Sequence, residues 1–232
     1  MKTRLCLLLF VASIFLSNNI LAQQTSSAQK LDSVTITSTR IDLPFKENSR
    51  TITLISAEAI QDSPATNLAE LLQQEAGIDI RRQGLNGMQA DLYIRGGSFD
   101  QTLLLIDGIK VEDPQTGHHT LNIALPLEVI ERVEIIKGPA ARVFGQNAFT
   151  GAINMVTKSN TDNINSVGYK LGSYNQQQAS ATLGTTLENA TLIGHASVNT
   201  SDGYRHNTDF ENQNYFVKSR FNTNGNAIDV IG

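Results

Sequence analysis

Cysteine is almost absent from this sequence. The chain of 232 residues has a single cysteine, Cys6, which lies inside an apolar run near the N-terminus. If that run is removed on export, the remaining chain contains no thiol, which excludes thiol catalysis, cysteine-based metal sites and disulfides. A chain without thiols suits an oxidising compartment such as the periplasm.

Concentrated positive charge and catalytic motifs are lacking too. The net charge is -4 and the pI is about 5.5, with no basic stripe, which argues against a nucleic-acid partner. The sequence contains no Gly-x-Ser-x-Gly elbow, no phosphate-binding loop and no paired catalytic carboxylates. We therefore predict that the protein is not an enzyme, has no catalytic residues and requires no cofactor.

The N-terminus has the layout of a secretory signal peptide. Lys2 and Arg4 precede the apolar run 5–16, and a small residue, Ala22, follows a polar stretch. The run is shorter than the roughly 20 apolar residues that a membrane-spanning helix needs, so a retained anchor is the less favoured alternative. We expect residues 1–22 to be cleaved and the rest of the protein to be exported.

Residues 23–44 predict a flexible N-terminal segment, because residues 23–30 are small and polar. Within this segment, residues 31–40 alternate apolar and polar side chains and favour a β-strand. No partner strand is predicted nearby. Such a strand can pair with the edge of another protein.

At residues 45–158 the sequence predicts a compact domain of short helices and strands. Ser56 and Asn67 can each cap a helix, Glu70 follows Asn67 as in a capping box, and Gly77 can end the second helix. Asp107-Gly108 between two apolar runs is a strong hairpin signal. The predicted strands are 51–55, 78–82, 91–95, 103–106, 109–111, 133–136 and 151–157, and the predicted helices are 56–60, a second one after Asn67 and 126–130.

Residues 159–232 predict about five strands of weak apolar and polar alternation. Short turns and one long polar connection, 201–214, separate them. This is typical of membrane β-barrel strands, which turn one face to lipid and the other to a polar lumen. A soluble β-sandwich would show similar alternation, so the pattern alone leaves both folds open. The strands are predicted at 166–171, 178–183, 191–198, 215–221 and 227–231.

Five stretches indicate a family: DLYIRGG at 91–97, LLIDG at 104–108, IERVEIIKGP at 130–139, VFG at 143–145 and GAINMVT at 151–157. In order and spacing they resemble the plug of TonB-dependent outer-membrane receptors. The resemblance implies an α+β plug domain, with a small mixed sheet and short helices, followed by the first antiparallel strands of an outer-membrane β-barrel. In this family the plug occupies the lumen of a barrel of about 22 strands. We therefore expect the chain to be a fragment or a truncated product.

The resemblance also implies a function. It points to a receptor in the outer membrane of a Gram-negative cell, which takes up a scarce nutrient of the cobalamin or iron-siderophore type. Its partners would be outer-membrane lipid, the small-molecule nutrient and TonB, which reaches the N-terminus of the receptor from the periplasm. The alternative is a soluble periplasmic binding or interaction module built from the plug domain.

The segment that TonB would bind resembles the TonB box in its position ahead of the plug and in its Val-Thr-Ile-Thr character. Binding by strand addition would take its affinity from backbone hydrogen bonds and its register from alternating side chains. The alternative is an ordinary linker strand. The predicted TonB-binding residues are Asp32, Ser33, Val34, Thr35, Ile36 and Thr37.

Two arginines and a set of loop residues complete the candidate site. By the resemblance, Arg95 and Arg132 would face glutamates of the barrel wall on strands beyond Gly232. The alternative for each is a solvated arginine in a wet lumen. The candidate ligand contacts are Gln83, Gly84, Leu85, Asn86, Gly87, Phe99, Asp100, His118 and His119.

Metal binding is not predicted. Neighbouring residues of an extended chain point to opposite faces, so His118 and His119 are poorly placed to share a metal. Asp202, Asp209 and Glu211 could ligate calcium through oxygen, but their spacing matches no defined calcium loop.

Overall fold

The computed structural model describes residues 35–36, 43–44, 52–84, 88–123, 125–139, 144–161, 164–223 and 226–232. The chain from Thr35 to Gly232 forms one compact unit. The predicted signal peptide and most of the predicted TonB-binding segment lie outside the described residues.

Two short strands precede the larger elements. β1 (Thr35–Ile36) pairs antiparallel with β2 (Leu43–Pro44), and Ile36 stands opposite Leu43. The expectation that this β-prone segment has no partner strand nearby is therefore wrong at these two residues. The two strands are close enough in sequence for the chain to fold back on itself.

The plug unit, which we define as residues 52–157, contains a mixed sheet and a separate hairpin. The sheet has the order β3-β8-β9-β6-β7, in which β6 and β9 are parallel and all other neighbours are antiparallel. β4 and β5 pair with each other. The elements are β3 (Ile52–Ser56), α1 (Ala57–Asp62), α2 (Leu68–Gln73), β4 (Ile78–Arg82), β5 (Ala90–Ile94), β6 (Thr102–Ile106), β7 (Ile109–Val111), β8 (Ile130–Lys137) and β9 (Gly151–Thr157).

The helix ends follow the predicted local chemistry. The Ser56 hydroxyl accepts the Ala59 N–H at 3.2 Å and begins α1. The Asn67 side chain accepts the Glu70 N–H at 3.0 Å and begins α2. Gly77, which follows that helix, has a φ of +80°. Caps of this kind satisfy backbone groups that the first and last turns leave without partners.

The helix predicted at 126–130 is wrong in type and length. Pro126 instead precedes a 3₁₀ turn, Leu127–Val129, and Ile130 is already the first residue of β8. Ile130 and Val133 are fully buried in the core. Pairing of β8 with two neighbouring strands stabilises these residues more than a further helical turn would.

The predicted Asp-Gly hairpin is confirmed. Asp107 has a φ of +49° and Gly108 a φ of +80°, which are the values that a two-residue type I′ turn requires. The turn joins β6 to β7, and the Asp107 N–H donates to the carbonyl oxygen of Met155 at 2.9 Å. The turn is thereby fixed against β9.

The wall sheet, which we define as β10–β14, is a five-stranded antiparallel meander in chain order. Its three middle strands are longer than predicted, because ladder pairing continues through polar stretches that resemble loops in the sequence. The first strand has the predicted bounds, and the last is longer by one residue. The strands are β10 (Ser166–Leu171), β11 (Gln177–Leu187), β12 (Ala190–Ser201), β13 (Phe210–Thr223) and β14 (Asn226–Ile231).

The two faces of the wall sheet differ. One face is apolar and exposed, and the other carries polar side chains and packs on the plug unit. Two apolar side chains of the inner face, Ile193 and Phe216, are buried in the same core as Ile94, Ile153 and Met155 of the plug unit. The exposed apolar residues are Val167, Tyr169, Leu171, Leu183, Leu187, Leu192, Val198, Tyr215, Val217, Phe221, Ile228 and Val230.

Candidate functional site

Loops of the plug unit and of the wall sheet lie together at one end of the molecule. The turn 172–176 and the loop 202–209 of the wall sheet lie against the plug unit near Arg82, at the tip of the β4–β5 hairpin. We call this region the loop end. Arg82 forms an ion pair with Glu70 at 3.1 Å, which ties the hairpin to α2.

A crevice of about 260 Å³ runs between the plug unit and the wall sheet next to the loop end. The plug unit contributes Met88 and residues 121–123 and 125–128, and the wall sheet contributes inward amides and a hydroxyl. Within the described residues, Asn199 Oδ1 is buried and has no hydrogen-bond partner. The wall residues that line the crevice are Gln178, Ser197, Asn199, Asn212 and Asn214.

The loop after β7 is organised by one carboxylate. Asp113 accepts the Thr116 hydroxyl at 2.7 Å and the backbone N–H groups of Gln115, Thr116 and His119 at 3.1–3.4 Å. These bonds, that from the Thr116 hydroxyl first, hold the pKa of Asp113 well below its ordinary value. The loop that carries both predicted histidines is therefore ordered by its own side chain.

His118 is held between an acid and an aromatic ring. Its Nδ1 lies 2.8 Å from Asp91 Oδ1, and its ring stacks on Phe99 with the centroids 4.1 Å apart. Because a carboxylate only accepts, Nδ1 carries the proton. The structure thus brings together two predicted ligand contacts, Phe99 and His118, and adds Asp91, which the sequence reasoning did not single out for this role.

The other candidate ligand contacts are placed less closely together. His119 is exposed, and its Nδ1 lies 3.2 Å from Nδ2 of Asn122. Asp100 is exposed in the 3₁₀ turn Phe99–Gln101. The N–H of Gln83 donates to Gln89 across the hairpin tip. Gly84 lies next to the Met88 side chain. Leu85, Asn86 and Gly87 lie outside the described residues.

A second polar cluster joins the plug unit to the wall sheet. Lys218 of β13 is 2% exposed, and its Nζ donates to Thr157 Oγ1 at 2.6 Å and to Asp107 Oδ2 at 3.1 Å. Asp107 also accepts the N–H of Thr157 at 2.7 Å and its hydroxyl at 2.6 Å. Among ion pairs between described residues, Asp107–Lys218 is the one that links the plug unit to the wall sheet.

The cluster continues into the plug unit. Asn154 Oδ1 accepts the Gly108 N–H at 2.9 Å, and Asn154 Nδ2 donates to Glu134 at 3.2 Å. Glu134, which is fully buried, pairs with Arg132 at 2.9 Å. Hydrogen bonds therefore run from the centre of the mixed sheet to the wall.

The two arginines predicted to pair with the wall have different surroundings. Arg132 pairs with Glu131 and Glu134 of its own strand. Arg95 is exposed, adopts a φ of +52° and lines an open hollow with Arg81 and Tyr93. Their predicted partners would lie on strands beyond Gly232, so pairing with the wall stays a prediction.

Lys218 is the functional candidate that the sequence reasoning missed. Its neighbours Val217 and Ser219 alternate with it along β13, and Tyr215, Val217 and Phe221 are exposed. The alternation that predicted the strand therefore also places Lys218 on the inner face, where a lysine needs an anionic partner. The Asp107-Gly108 pattern predicts a turn and gives no sign of this ion pair.

The described residues contain neither a cluster of metal-ligating side chains nor a long apolar helix. Within the described residues, no three His, Cys, Asp or Glu side chains converge as they would around a metal ion. In the same part of the chain, no helix is long and apolar enough to cross a membrane.

Comparisons with known proteins agree with the resemblance. Residues 44–152 match the family model described as the TonB-dependent receptor plug domain. The vitamin B12 transporter BtuB of Vibrio vulnificus is 32% identical over 179 residues, which are 77% of this chain and 29% of that protein. BtuB of Vibrio cholerae is 31% identical over 163 residues, covering 70% of this chain and 26% of its own length.

The fold is similar to that of solved receptor structures. The pyoverdine outer-membrane receptor FpvA of Pseudomonas aeruginosa superposes with a TM-score of 0.70 at 19% identity, covering 88% of this chain and 30% of the receptor. The ferric yersiniabactin uptake receptor FyuA of Yersinia pestis gives a TM-score of 0.57 at 22% identity, covering 75% of this chain and 29% of that receptor.

The chain spans less than one third of the length of the curated relatives that it matches. The two solved structures are described as an outer-membrane receptor and an uptake receptor. The match at 44–152, the mixed sheet and the antiparallel meander agree with one another. The chain therefore carries the plug domain of a TonB-dependent receptor, followed by strands that correspond to the start of its barrel.

Proposed function

We propose that this chain is the gate and the first wall strands of an outer-membrane receptor for active uptake of a scarce nutrient, of the cobalamin or iron-siderophore type. The observation that carries the proposal is the docking of the plug unit on the polar inner face of the wall sheet. The relatives named above, a vitamin B12 transporter and siderophore receptors, supply the nutrient class.

An outer-membrane location is supported by the exposed face of the wall sheet. Val167, Leu183, Val217 and Val230 belong to a set of exposed apolar side chains that extends over all five strands of the wall sheet. A soluble protein rarely exposes so large an apolar patch, whereas a barrel turns this face to lipid. Residues 1–22 are proposed to be a cleaved signal peptide. In the proposed orientation the N-terminus of the exported protein lies in the periplasm, and the loop end faces the outside of the cell.

The coupling segment is proposed to be Asp32–Thr37. Its support is its position ahead of the plug unit and its β-prone sequence. TonB would add a strand to this segment and, in doing so, displace the short pairing of Thr35–Ile36 with Leu43–Pro44. A pairing of two residues on each side is weak enough to exchange.

The nutrient is proposed to bind at the loop end. His118 and Phe99 offer an imidazole and an aromatic ring on an ordered loop, and their positions are fixed by Asp91 and Asp113. Gln83, Gly84, Asp100, His119 and the tip 85–87 are the further proposed contacts. Arg95 and Arg132 are proposed to pair with wall strands beyond β14.

Membrane fractionation tests the proposal. Cells that express the receptor are separated into soluble periplasmic extract and outer membrane, and the outer-membrane band is run with and without heating. A band whose mobility changes on heating supports a closed barrel. Release of the protein into the soluble extract would instead support a periplasmic binding module and contradict the proposal.

A further inference from the structure

Lys218 is buried between the wall sheet and the plug unit. Its charge therefore favours the arrangement in which its anionic partner stays close. The Lys218 ammonium is 2% exposed and lies 3.1 Å from Asp107 and 3.9 Å from Asp229. An ammonium taken out of water requires a close anion and further hydrogen-bond acceptors, and both Asp107 and Thr157 meet this need. Both of these partners belong to the plug unit.

The Asp107 side of the contact is rigid. Asp107 stands in a type I′ turn, and its carboxylate binds both the N–H and the hydroxyl of Thr157, the last residue of β9. The turn joins β6 to β7, and β6 lies next to β9 in the mixed sheet. A displacement of the plug unit therefore has to separate Lys218 from Asp107 and Thr157 together.

Arg220, the neighbouring cation on β13, has its ion-pair partner within the wall sheet. Arg220 pairs with Asp229 at 3.1 Å, and Asp229 belongs to β14 of the wall sheet. This ion pair joins two wall strands to each other. Lys218 and Arg220 lie two residues apart on the same face, so they form a natural comparison.

We propose that Lys218 is a latch on the barrel wall, which holds the Asp107–Gly108 turn and keeps the plug unit in its closed position. The inference rests on the proposed function, since a latch requires a plug that moves. During uptake the contact has to open, and Lys218 is thus a positioning residue for the gate.

The test compares Lys218→Met with Arg220→Met in the complete receptor, expressed in cells that lack TonB. The readout is the sensitivity of the cells to vancomycin, a molecule too large to cross an intact outer membrane. The amount of folded receptor is measured in the same cells by the heat-modifiable band. Neither readout depends on TonB or on the nutrient, so a wrong nutrient assignment does not affect the result.

Lys218→Met is expected to raise vancomycin sensitivity about tenfold or more relative to wild type, because loss of one partner of a buried pair shifts such an equilibrium by at least that factor. Arg220→Met is expected to leave sensitivity near the wild-type value. Equal sensitivity of the two variants at equal amounts of folded receptor would overturn the latch.

A second variant covers the case in which Lys218→Met does not accumulate. Asp107→Asn removes the charge on the plug side, and asparagine tolerates the positive φ of the turn. It is expected to raise sensitivity as well. Wild-type sensitivity of folded Asp107→Asn would overturn the latch by itself.

Discussion

Substitution of Gly151 tests the packing of the mixed sheet and of the β4–β5 hairpin that lies against it. It is the first residue of β9, and a Cβ at this position would overlap the carbonyl oxygen of Ile136 and lie 2.8 Å from the Cδ1 of Ile94. Ile94 is fully buried in the β4–β5 hairpin, and Ile136 belongs to β8. Gly151→Ala therefore forces β9 away from its neighbour β8 and also presses on the β4–β5 hairpin.

The cost can be estimated from this geometry. Forcing an extra carbon into a packed core costs about 1–3 kcal/mol, and a backbone carbonyl cannot rotate away as a side chain can. We expect about 2 kcal/mol, which lowers the unfolding midpoint of a domain of this size by roughly 10 °C. Gly194→Ala is the matched control, because a Cβ there would meet nothing within 4 Å.

The assay is trypsin digestion of the receptor in outer-membrane vesicles over a range of temperatures. The plug unit contains exposed cleavage sites such as Arg81 and Arg95, and loss of the intact chain reports plug unfolding. Gly151→Ala is expected to be cleaved at clearly lower temperature than wild type, and Gly194→Ala at the same temperature. A Gly151→Ala midpoint within about 2 °C of wild type would refute the packing argument.

Two further predictions concern polar contacts of the plug unit. Asn154→Leu removes the acceptor of the Gly108 N–H and a donor to the fully buried Glu134. It should lower the free energy of unfolding of the plug unit by about 3 kcal/mol, measured in the same digestion assay. A midpoint equal to that of wild type would contradict this expectation. Burial raises the pKa of Glu70, but the hydrogen bonds from Thr66 and the ion pair with Arg82 outweigh it and lower the pKa. A lowered pKa stabilises the fold above the ordinary value of 4.5 and loses this effect as the pH falls through the folded-state value. Glu70→Gln should therefore be less stable than wild type at neutral pH, and the difference should vanish in acid; a difference independent of pH would contradict the assignment.

Local chemistry made much of the plug unit predictable. Ser56, Asn67, Gly77 and the Asp107-Gly108 pair each act within a few residues of their own position, so their patterns can be read from the sequence. The strand order of the mixed sheet could not be read in this way. β6 pairs in parallel with β9, and no local signal relates the two strands.

Long-range contacts explain the remaining differences. Lys218 and Asp107 are 111 residues apart, and no local pattern connects them. The wall strands extend through residues such as Asn199 and Asn214, whose side chains line a polar crevice although their residue types favour loops. The pairing of Thr35–Ile36 within the chain was missed because two residues provide almost no strand signal.

Coupling of the gate to TonB is tested most directly by nutrient uptake in cells that carry Val34→Pro. Proline removes a backbone donor and disturbs strand addition, whereas Val34→Ala keeps the backbone and serves as the control. Uptake of labelled cyanocobalamin and of labelled ferric siderophores is measured in cells with and without TonB. With this coupling, wild type and Val34→Ala are expected to take up one of these nutrients only when TonB is present, and Val34→Pro is expected to take up none. Unchanged uptake by Val34→Pro, or uptake without TonB, would contradict it.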